Sequence, residues 1–125
     1  MFNQTTAQKF HKAVSQARKA SQLAADNITD YSISWYRTMR VYLHDNGNAG
    51  YAIKPNGELV SVFNNSSTKG LGSQIVKHAI GNGATHLDCF DGFLVELYSK
   101  HGFTEVDREP NWTAGEPDVV WMELS

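Results

Sequence analysis

Two tight-turn sequences in the first half of the chain restrict its fold more than any other feature. The segments DNGN at residues 45–48 and PNG at residues 55–57 separate three strand-like segments, at residues 35–44, 51–53 and 58–63. Asn-Gly accepts the positive φ angles of a tight hairpin turn, and proline favours the first position of such a turn. We therefore predict an antiparallel meander of three strands.

Helical and strand-like patterns surround this meander. Apolar residues at helical spacing predict an amphipathic helix at residues 5–25, whereas residues 26–34 fit a connector, a short helix or a strand. The second half alternates, with a helix at 72–82, a strand at 84–90, a helix after Asp91-Gly92, a strand at 103–108 and a strand at 119–124. The second of these helices is expected to bury Phe93, Leu94, Leu97 and Tyr98 on one face.

The length and the order of these elements predict one mixed α/β domain. A chain of 125 residues is a single-domain length. We expect residues 1–30 to form an N-terminal helix and connector, and residues 35–124 to form the core.

Charge is distributed unevenly along the chain. Residues 1–80 carry nine Lys/Arg and four Asp/Glu, whereas residues 81–125 carry two Lys/Arg and nine Asp/Glu. The chain has no basic run, so we do not expect it to bind nucleic acid. The acidic second half favours a cationic partner such as an amine.

The cysteine and histidine content excludes two further classes of protein. Cys89 is the only cysteine, so no intrachain disulfide can form. It lies in the segment LDCF, which has no cue for thiolate activation, and this favours a small buried residue over a nucleophile. The histidines have no metal-ligand spacing, so no metal site is predicted. No apolar run approaches the length of a membrane span or a signal peptide, and we expect a cytoplasmic protein.

The glycine turn before the second helix is the strongest candidate for a binding site. Lys69, Gly70 and Gly72 stand at the start of this helix, where free backbone N–H groups and the helix dipole attract anions such as phosphate. The spacing does not match the phosphate loop of nucleotide triphosphatases, and Ile75 stands where a dinucleotide fingerprint needs a third glycine. A glycine-rich turn without a ligand is the alternative.

The surroundings of the turn resemble the GNAT (Gcn5-related) N-acetyltransferase family. A strand, the loop NNSSTKGLG, a helix, a strand, a helix ending LYSKHGF and a further strand follow one another as in that family, over roughly residues 35–124. The family loop reads Gln/Arg-x-x-Gly-x-Gly/Ala, and here Ser67 takes the first position. The resemblance implies a mixed, mostly antiparallel central sheet with flanking helices, and a site for acyl-coenzyme A.

The resemblance also assigns residues to the cofactor. Val62 stands eight residues before the first glycine, where the strand backbone would pair with the pantetheine arm, and Asp91 replaces the usual Asn that touches this arm or caps the helix. The residues expected to bind acetyl-coenzyme A are Val62, Thr68, Lys69, Gly70, Leu71, Gly72, Ser73 and Asp91.

The implied activity is direct transfer of an acetyl group from acetyl-coenzyme A to a primary amine, either a protein lysine or a small amine. Tyr98 matches the family's general acid, with burial of its ring in the core as the alternative. Glu58 is the expected general base, and His86 or Asp88 could take that role instead. A non-catalytic module of the same fold, which binds coenzyme A or another protein, is the second hypothesis.

Aromatic and acidic residues are candidates for the acceptor side. Trp35, Tyr36, Trp112 and Trp121 offer aromatic surface, and the loop at residues 109–118 carries acidic groups. Edge strands in this fold often pair between subunits, so the resemblance is also compatible with a homodimer.

Overall fold

The computed structural model describes residues 1–20, 28–65 and 70–124. The helices of these residues are α1 (Ala7–Ala20), α2 (Ile33–Tyr36), α3 (Leu71–Gly81) and α4 (Phe93–Ser99). The strands are β1 (Phe2–Gln4), β2 (Arg40–His44), β3 (Ala49–Ile53), β4 (Leu59–Asn64), β5 (His86–Phe90), β6 (Phe103–Glu109) and β7 (Val119–Leu124).

The described strands form two antiparallel sheets. The meander sheet has the order β1-β2-β3-β4, and the C-terminal sheet has the order β5-β7-β6. The predicted meander is confirmed, with Gly47 at φ 72° and Gly57 at φ 92° in its two turns. The predicted α/β fold with a mostly antiparallel sheet and flanking helices is therefore confirmed.

The prediction that a strand begins at Trp35 is wrong. Residues Ile33–Tyr36 form a single helical turn, and β2 begins at Arg40. Ser32 caps this turn by accepting a hydrogen bond from the Trp35 N–H, and Tyr36 is fully buried. Tyr36 here serves burial rather than strand pairing, which the composition alone did not distinguish.

The N-terminal region differs from the prediction in two ways. The helix predicted at residues 5–25 is observed as α1, Ala7–Ala20, and residues 21–25 lie outside the described part of the chain. The strand β1 was not predicted, because three residues are too few to show a periodic pattern. It pairs with β2, and Phe2 places its ring in the core.

The alternation predicted for the second half is confirmed, with boundaries shifted by one or two residues. One side chain departs from the expectation. Phe93 is 74% exposed, so the buried face of α4 is carried by Tyr98 with partly buried Leu94, Val95 and Leu97.

Two hydrophobic clusters follow from the alternation of side chains along the meander strands. Val41 and Ala52 face α1 and α2, whereas Tyr42 and Tyr51 face α3. The α3 cluster continues into the C-terminal sheet through buried residues of β5, α4, β6 and β7, which are Leu87, Tyr98, Phe103, Val120 and Met122. The α3 cluster is therefore a continuous core that lies beneath both sheets.

Candidate active site

A cleft opens where β4 and β5 part. The parallel bridge Glu58–His86 and the hydrogen bond from the Thr85 N–H to the Gly57 carbonyl (2.9 Å) hold the two strands together at one end. Beyond this point β4 pairs with β3 and β5 pairs with β7, so within the described residues the facing edges of β4 and β5 have no common ladder. Unpaired strand edges of this kind can accept an extended ligand by hydrogen bonding.

A β-bulge shapes the β4 edge of this cleft. Gly50 pairs with Phe63 and Ala52 pairs with Val60, so Ser61 and Val62 lie opposite a single residue of β3. Ser61 has φ 52°, the one positive φ recorded for a non-glycine residue of the described chain. Val62, the residue predicted to pair with the pantetheine arm, therefore lies where β4 leaves its regular register.

A buried hydrogen-bond network holds the bulge. The Ser61 hydroxyl donates to the Thr29 carbonyl (2.7 Å) and lies 2.9 Å from the Tyr36 hydroxyl, which also accepts from the Tyr31 N–H (3.1 Å). Burial, only partly offset by these bonds, raises the pKa of Tyr36. Sequence analysis missed this network, although the polar residue inside the apolar segment LVSVF (59–63) signalled an interrupted strand.

The N-terminus of α3 presents backbone donors beside the cleft. Gly70 is its N-cap residue with φ 76°, and no side chain caps the helix. The N–H groups at the start of a helix have no intrahelical partner, so those of Leu71, Gly72 and Ser73 can bind an anion. Among the described residues, no atom lies within 4 Å of the position that a Cβ atom at Gly70 would take. Thr68 and Lys69 lie outside the described residues.

Tyr98 approaches the cleft from α4. It is 4% exposed, and its ring packs edge-on against Phe103 at a centroid distance of 5.8 Å. Burial, followed by the neighbouring Cys89 and Asp88, raises the pKa of Tyr98. The phenol is therefore neutral at physiological pH and can donate a hydrogen bond.

Cys89 does not have the environment of a nucleophile. Burial and then the nearby Asp88 and Asp91 raise the pKa of the thiol to about 12. The side chain is partly buried against the core, so it is a protonated packing residue at neutral pH.

Carboxylates lie on the opposite side of the sheets from Tyr98. Leu59 and Leu87 face the core beside α3 and α4, so Glu58 and Asp88, one residue away on each strand, point to the other face. Glu58 pairs with Lys54 at 3.5 Å. Partial desolvation and the nearby Glu58 carboxylate raise the pKa of Asp88. Asp88 is therefore a stronger base than an ordinary aspartate, which could not be predicted from residue spacing because Glu58 lies 30 positions away in the chain.

The predicted helix cap at Asp91 is not observed. Gly92 is the N-cap residue of α4, and the Asp91 carboxylate binds Arg108 at 2.7 Å. The same guanidinium binds Glu105 at 2.7 Å and Asp118 at 3.2 Å. Hydrogen bonding by Arg108 lowers the pKa of Asp91 and of Glu105. Arg108 thus ties together β6, the start of α4 and the residue before β7.

The aromatic residues considered for the acceptor side have different environments. Tyr36 is fully buried and holds the bulge, so it does not offer acceptor surface. Trp35 and Trp112 are 62% and 92% exposed, respectively. Trp121 is partly buried on the face of β7 that points away from the core.

The residues that the structure describes contain neither a metal-binding cluster nor a membrane-spanning helix. No group of three or more His, Cys, Asp or Glu side chains there could hold a metal ion. None of the helices there has the length and apolar character needed to cross a bilayer.

Comparison with known proteins identifies this architecture. No protein-family profile and no curated protein matches the sequence. Among solved structures, a Bacillus subtilis acetyltransferase in complex with CoA matches with a TM-score of 0.63 and 17% identity, covering 99% of this chain and 97% of the other. The NatC complex bound to Gag peptide and CoA matches with a TM-score of 0.63 and 16% identity over 99% of this chain and 96% of that chain.

An aminoglycoside 6'-acetyltransferase type Ii is also similar, with a TM-score of 0.62 and 14% identity over 98% of this chain and 94% of the other. At these identities the property that the proteins share is the three-dimensional arrangement of their elements. The chain therefore has the fold of the GNAT N-acetyltransferases, as its sequence motifs predicted.

Proposed function

We propose that this protein is an acetyl-coenzyme A-dependent N-acetyltransferase that acetylates a primary amine by direct transfer. The observation that supports the proposal is the parting of β4 and β5, with the bulged edge of β4 on one side and the N-terminus of α3 packed beside that strand. Tyr98 of α4, buried near Cys89 of β5, is proposed to reach the same region. The fold of the solved acetyltransferases supports the same reading.

The residues around the cleft fit acetyl-coenzyme A. The N–H groups at Leu71, Gly72 and Ser73 would hold the pyrophosphate, because no side chain of the described residues caps this helix or crowds Gly70. The backbone at Val62 would pair with the pantetheine arm, as an added strand does. Thr68 and Lys69 are proposed to contribute from the preceding loop. Because Arg108 engages its carboxylate, Asp91 would contact the pantetheine through its backbone.

The acid and base candidates flank the cleft from opposite faces. When bound, the cofactor supplies a thioester whose carbonyl carbon accepts the amine. Tyr98, on the α4 side, would donate a hydrogen bond or its proton to the departing sulfur. Glu58, with Asp88 beside it, would take the proton of the incoming ammonium on the other face. This separation suits direct transfer, because the amine must lose a proton whereas the departing sulfur must gain one.

The first experiment is calorimetric titration of the protein with acetyl-coenzyme A. Ser73→Asp places a carboxylate in the first turn of α3, where it is compatible with the helix dipole but repels a pyrophosphate. We expect this variant to bind at least about tenfold more weakly, equivalent to about 1.4 kcal/mol, and to keep its thermal stability. Ser73→Asn is the matched neutral control and should bind like the wild type. Equal affinity of all three proteins would exclude the pyrophosphate from this helix terminus.

Replacing Tyr98 by Phe separates catalysis from binding. The variant removes only the hydroxyl, so we expect a loss of turnover of about a hundredfold, typical of a general acid, with an unchanged Kd for acetyl-coenzyme A. Turnover would be followed by thiol release with a lysine peptide and with spermidine as acceptors. If both proteins bind the cofactor and neither releases thiol, the non-catalytic CoA-binding module is the better description.

A further inference from the structure

The C-terminal sheet has an outer face that points away from the core. Leu87, Val120 and Met122 are buried in the α3 cluster, so their neighbours along β5 and β7 project to the other side. The register places the outward residues in three rows, which are His86-Glu123-Thr104, Asp88-Trp121-Asp107 and Phe90-Val119-Glu109.

Apolar surface runs along the middle of this outer face. Trp121 and Val119 follow β7, and Phe90 lies beside Val119. A bulge between Glu105 and Asp107 leaves Val106 54% exposed next to them. A shallow depression of about 270 Å³ lies here, and its lining includes His86, Val106 and Trp121. Contiguous apolar surface that remains accessible to solvent is typical of a binding surface.

The charged side chains within these three rows are acidic. Asp88, Asp107, Glu109 and Glu123 belong to the three rows, whereas the rows contain no lysine or arginine. Arg108 alternates to the inner face, where it is bound to Glu105, Asp91 and Asp118. Lys54, which pairs with Glu58 at 3.5 Å, is the cation recorded near Asp88. The four carboxylates of the rows therefore leave an excess of negative charge, which complements a cationic partner.

The spacing of the carboxylates selects among cationic partners. Asp88 and Asp107 lie on the two strands that flank Trp121, so they are separated from each other by two strand spacings, about 10 Å. One ammonium group cannot reach both, so the face suits a ligand with several cations. The apolar strip between the carboxylates suits the carbon chains of lysine side chains, which can cover an indole while the ammonium groups reach the acids.

We propose that the outer face of the C-terminal sheet docks a lysine-rich peptide segment of a partner protein. Asp88 belongs both to this face and to β5, the strand that borders the cleft. A peptide on the face therefore passes the mouth of the cleft, where one of its lysines can enter as the acetyl acceptor. The identification of the peptide as acceptor rests on the proposed acetyltransferase function, whereas the docking itself does not.

The test measures docking without acetyl-coenzyme A. Fluorescence anisotropy would follow a fluorescein-labelled decapeptide of alternating lysine and alanine on the full chain at about 50 mM salt. A glutamate–alanine decapeptide is the matched probe. We expect the lysine peptide to bind at least about tenfold more tightly, because only its charge complements the face.

Variants locate the docking surface. Glu123→Gln and Asp107→Asn should each weaken lysine-peptide binding about threefold, and the double variant about tenfold, as expected for partly exposed charge pairs. Val106→Lys, at an exposed position that tolerates a long side chain, should weaken it similarly. Glu96→Gln is the matched control, because Glu96 is exposed on α4, which covers the inner face.

Each outcome bears on the proposal. Equal binding of the two peptides, or variants that bind like the wild type, would overturn it. Spermidine and unlabelled peptide would also be compared as competitors of the labelled peptide. If spermidine displaces the labelled peptide at the same concentration as unlabelled peptide does, the proposal is overturned in favour of a small polyamine ligand. Peptide binding that depends on Glu123 and Asp107 supports it even if the cofactor titration fails, so the two failures are distinguishable.

Discussion

At the scale of single residues, Ser61 anchors the bulged edge of β4 to the residues that precede β2. A positive φ in a non-glycine residue costs about 1–3 kcal/mol, so this conformation persists only where its surroundings enforce it. The bonds to Thr29 and Tyr36 provide that enforcement, and both partners precede β2 in the chain. A sequence pattern could not predict this, because the bonded residues lie 32 and 25 positions from Ser61.

Three variants at this network should separate strain from hydrogen bonding. Ser61→Ala loses both bonds and keeps the backbone cost, Ser61→Gly loses the bonds and removes that cost, and Tyr36→Phe keeps the ring but loses the hydroxyl. In urea denaturation we expect Ser61→Ala to be less stable than Ser61→Gly by about 1 kcal/mol. All three should bind acetyl-coenzyme A more weakly, because the Val62 edge is no longer held. Equal stability of the Ala and Gly variants would show that φ at Ser61 costs nothing.

At the scale of elements, the sequence predicted those with local signals. The turns at Gly47 and Gly57, the glycine entry to α3 and the alternation after it depend on nearby residues, and all are observed. Elements defined by distant partners were not predicted. The strand β1 forms by pairing with the edge of β2. The helical turn α2 stands where a strand was predicted, because Tyr36 packs into the hydrophobic cluster between α1 and the meander sheet.

The attachment of α3 to the meander sheet predicts a dependence of stability on pH. The Tyr51 hydroxyl bonds His78 Nδ1, and Asn82 donates to the His78 carbonyl (2.8 Å). Burial, with a smaller effect of the N-terminal ammonium, lowers the pKa of His78. The folded state therefore binds a proton less readily than the unfolded state, whose pKa is about 6.5. The stabilisation is complete above that value and is lost as the pH falls through the folded-state pKa.

We expect the urea midpoint of the wild type to decrease from pH about 7.5 to pH about 5. His78→Gln removes the titrating group but keeps a polar side chain, so its midpoint should decrease less over the same interval. The slope that remains in this variant arises from groups other than His78. Identical pH profiles of the two proteins would contradict the assignment.

At the scale of the whole molecule, the cleft is built into a continuous core. The two sheets share the α3 cluster, which contains Tyr51 and Leu59 from one sheet and Val120 and Met122 from the other. The edges of β4 and β5 can therefore part at the surface while the packing beneath them continues. The order of elements in the sequence predicted this fold. The hydrophobic cluster that both sheets share could not be predicted, because it depends on packing between residues far apart in the chain.

This continuity predicts that the sheets unfold as one unit. Val120→Ala in β7 removes a fully buried side chain and should lower the free energy of unfolding by about 2 kcal/mol. Amide hydrogen exchange should show the same decrease for the slowest amides of β3 and of β7, since both exchange by global unfolding.

Val14→Ala is the matched variant, since Val14 is equally buried in the other cluster, which lacks residues of the C-terminal sheet. This variant should also lower the protection of amides in both sheets, because the strands of the meander sheet contribute residues to both clusters. A decrease confined to β7 in Val120→Ala would instead show that the C-terminal sheet opens alone, and that the cleft is a boundary between independently stable halves.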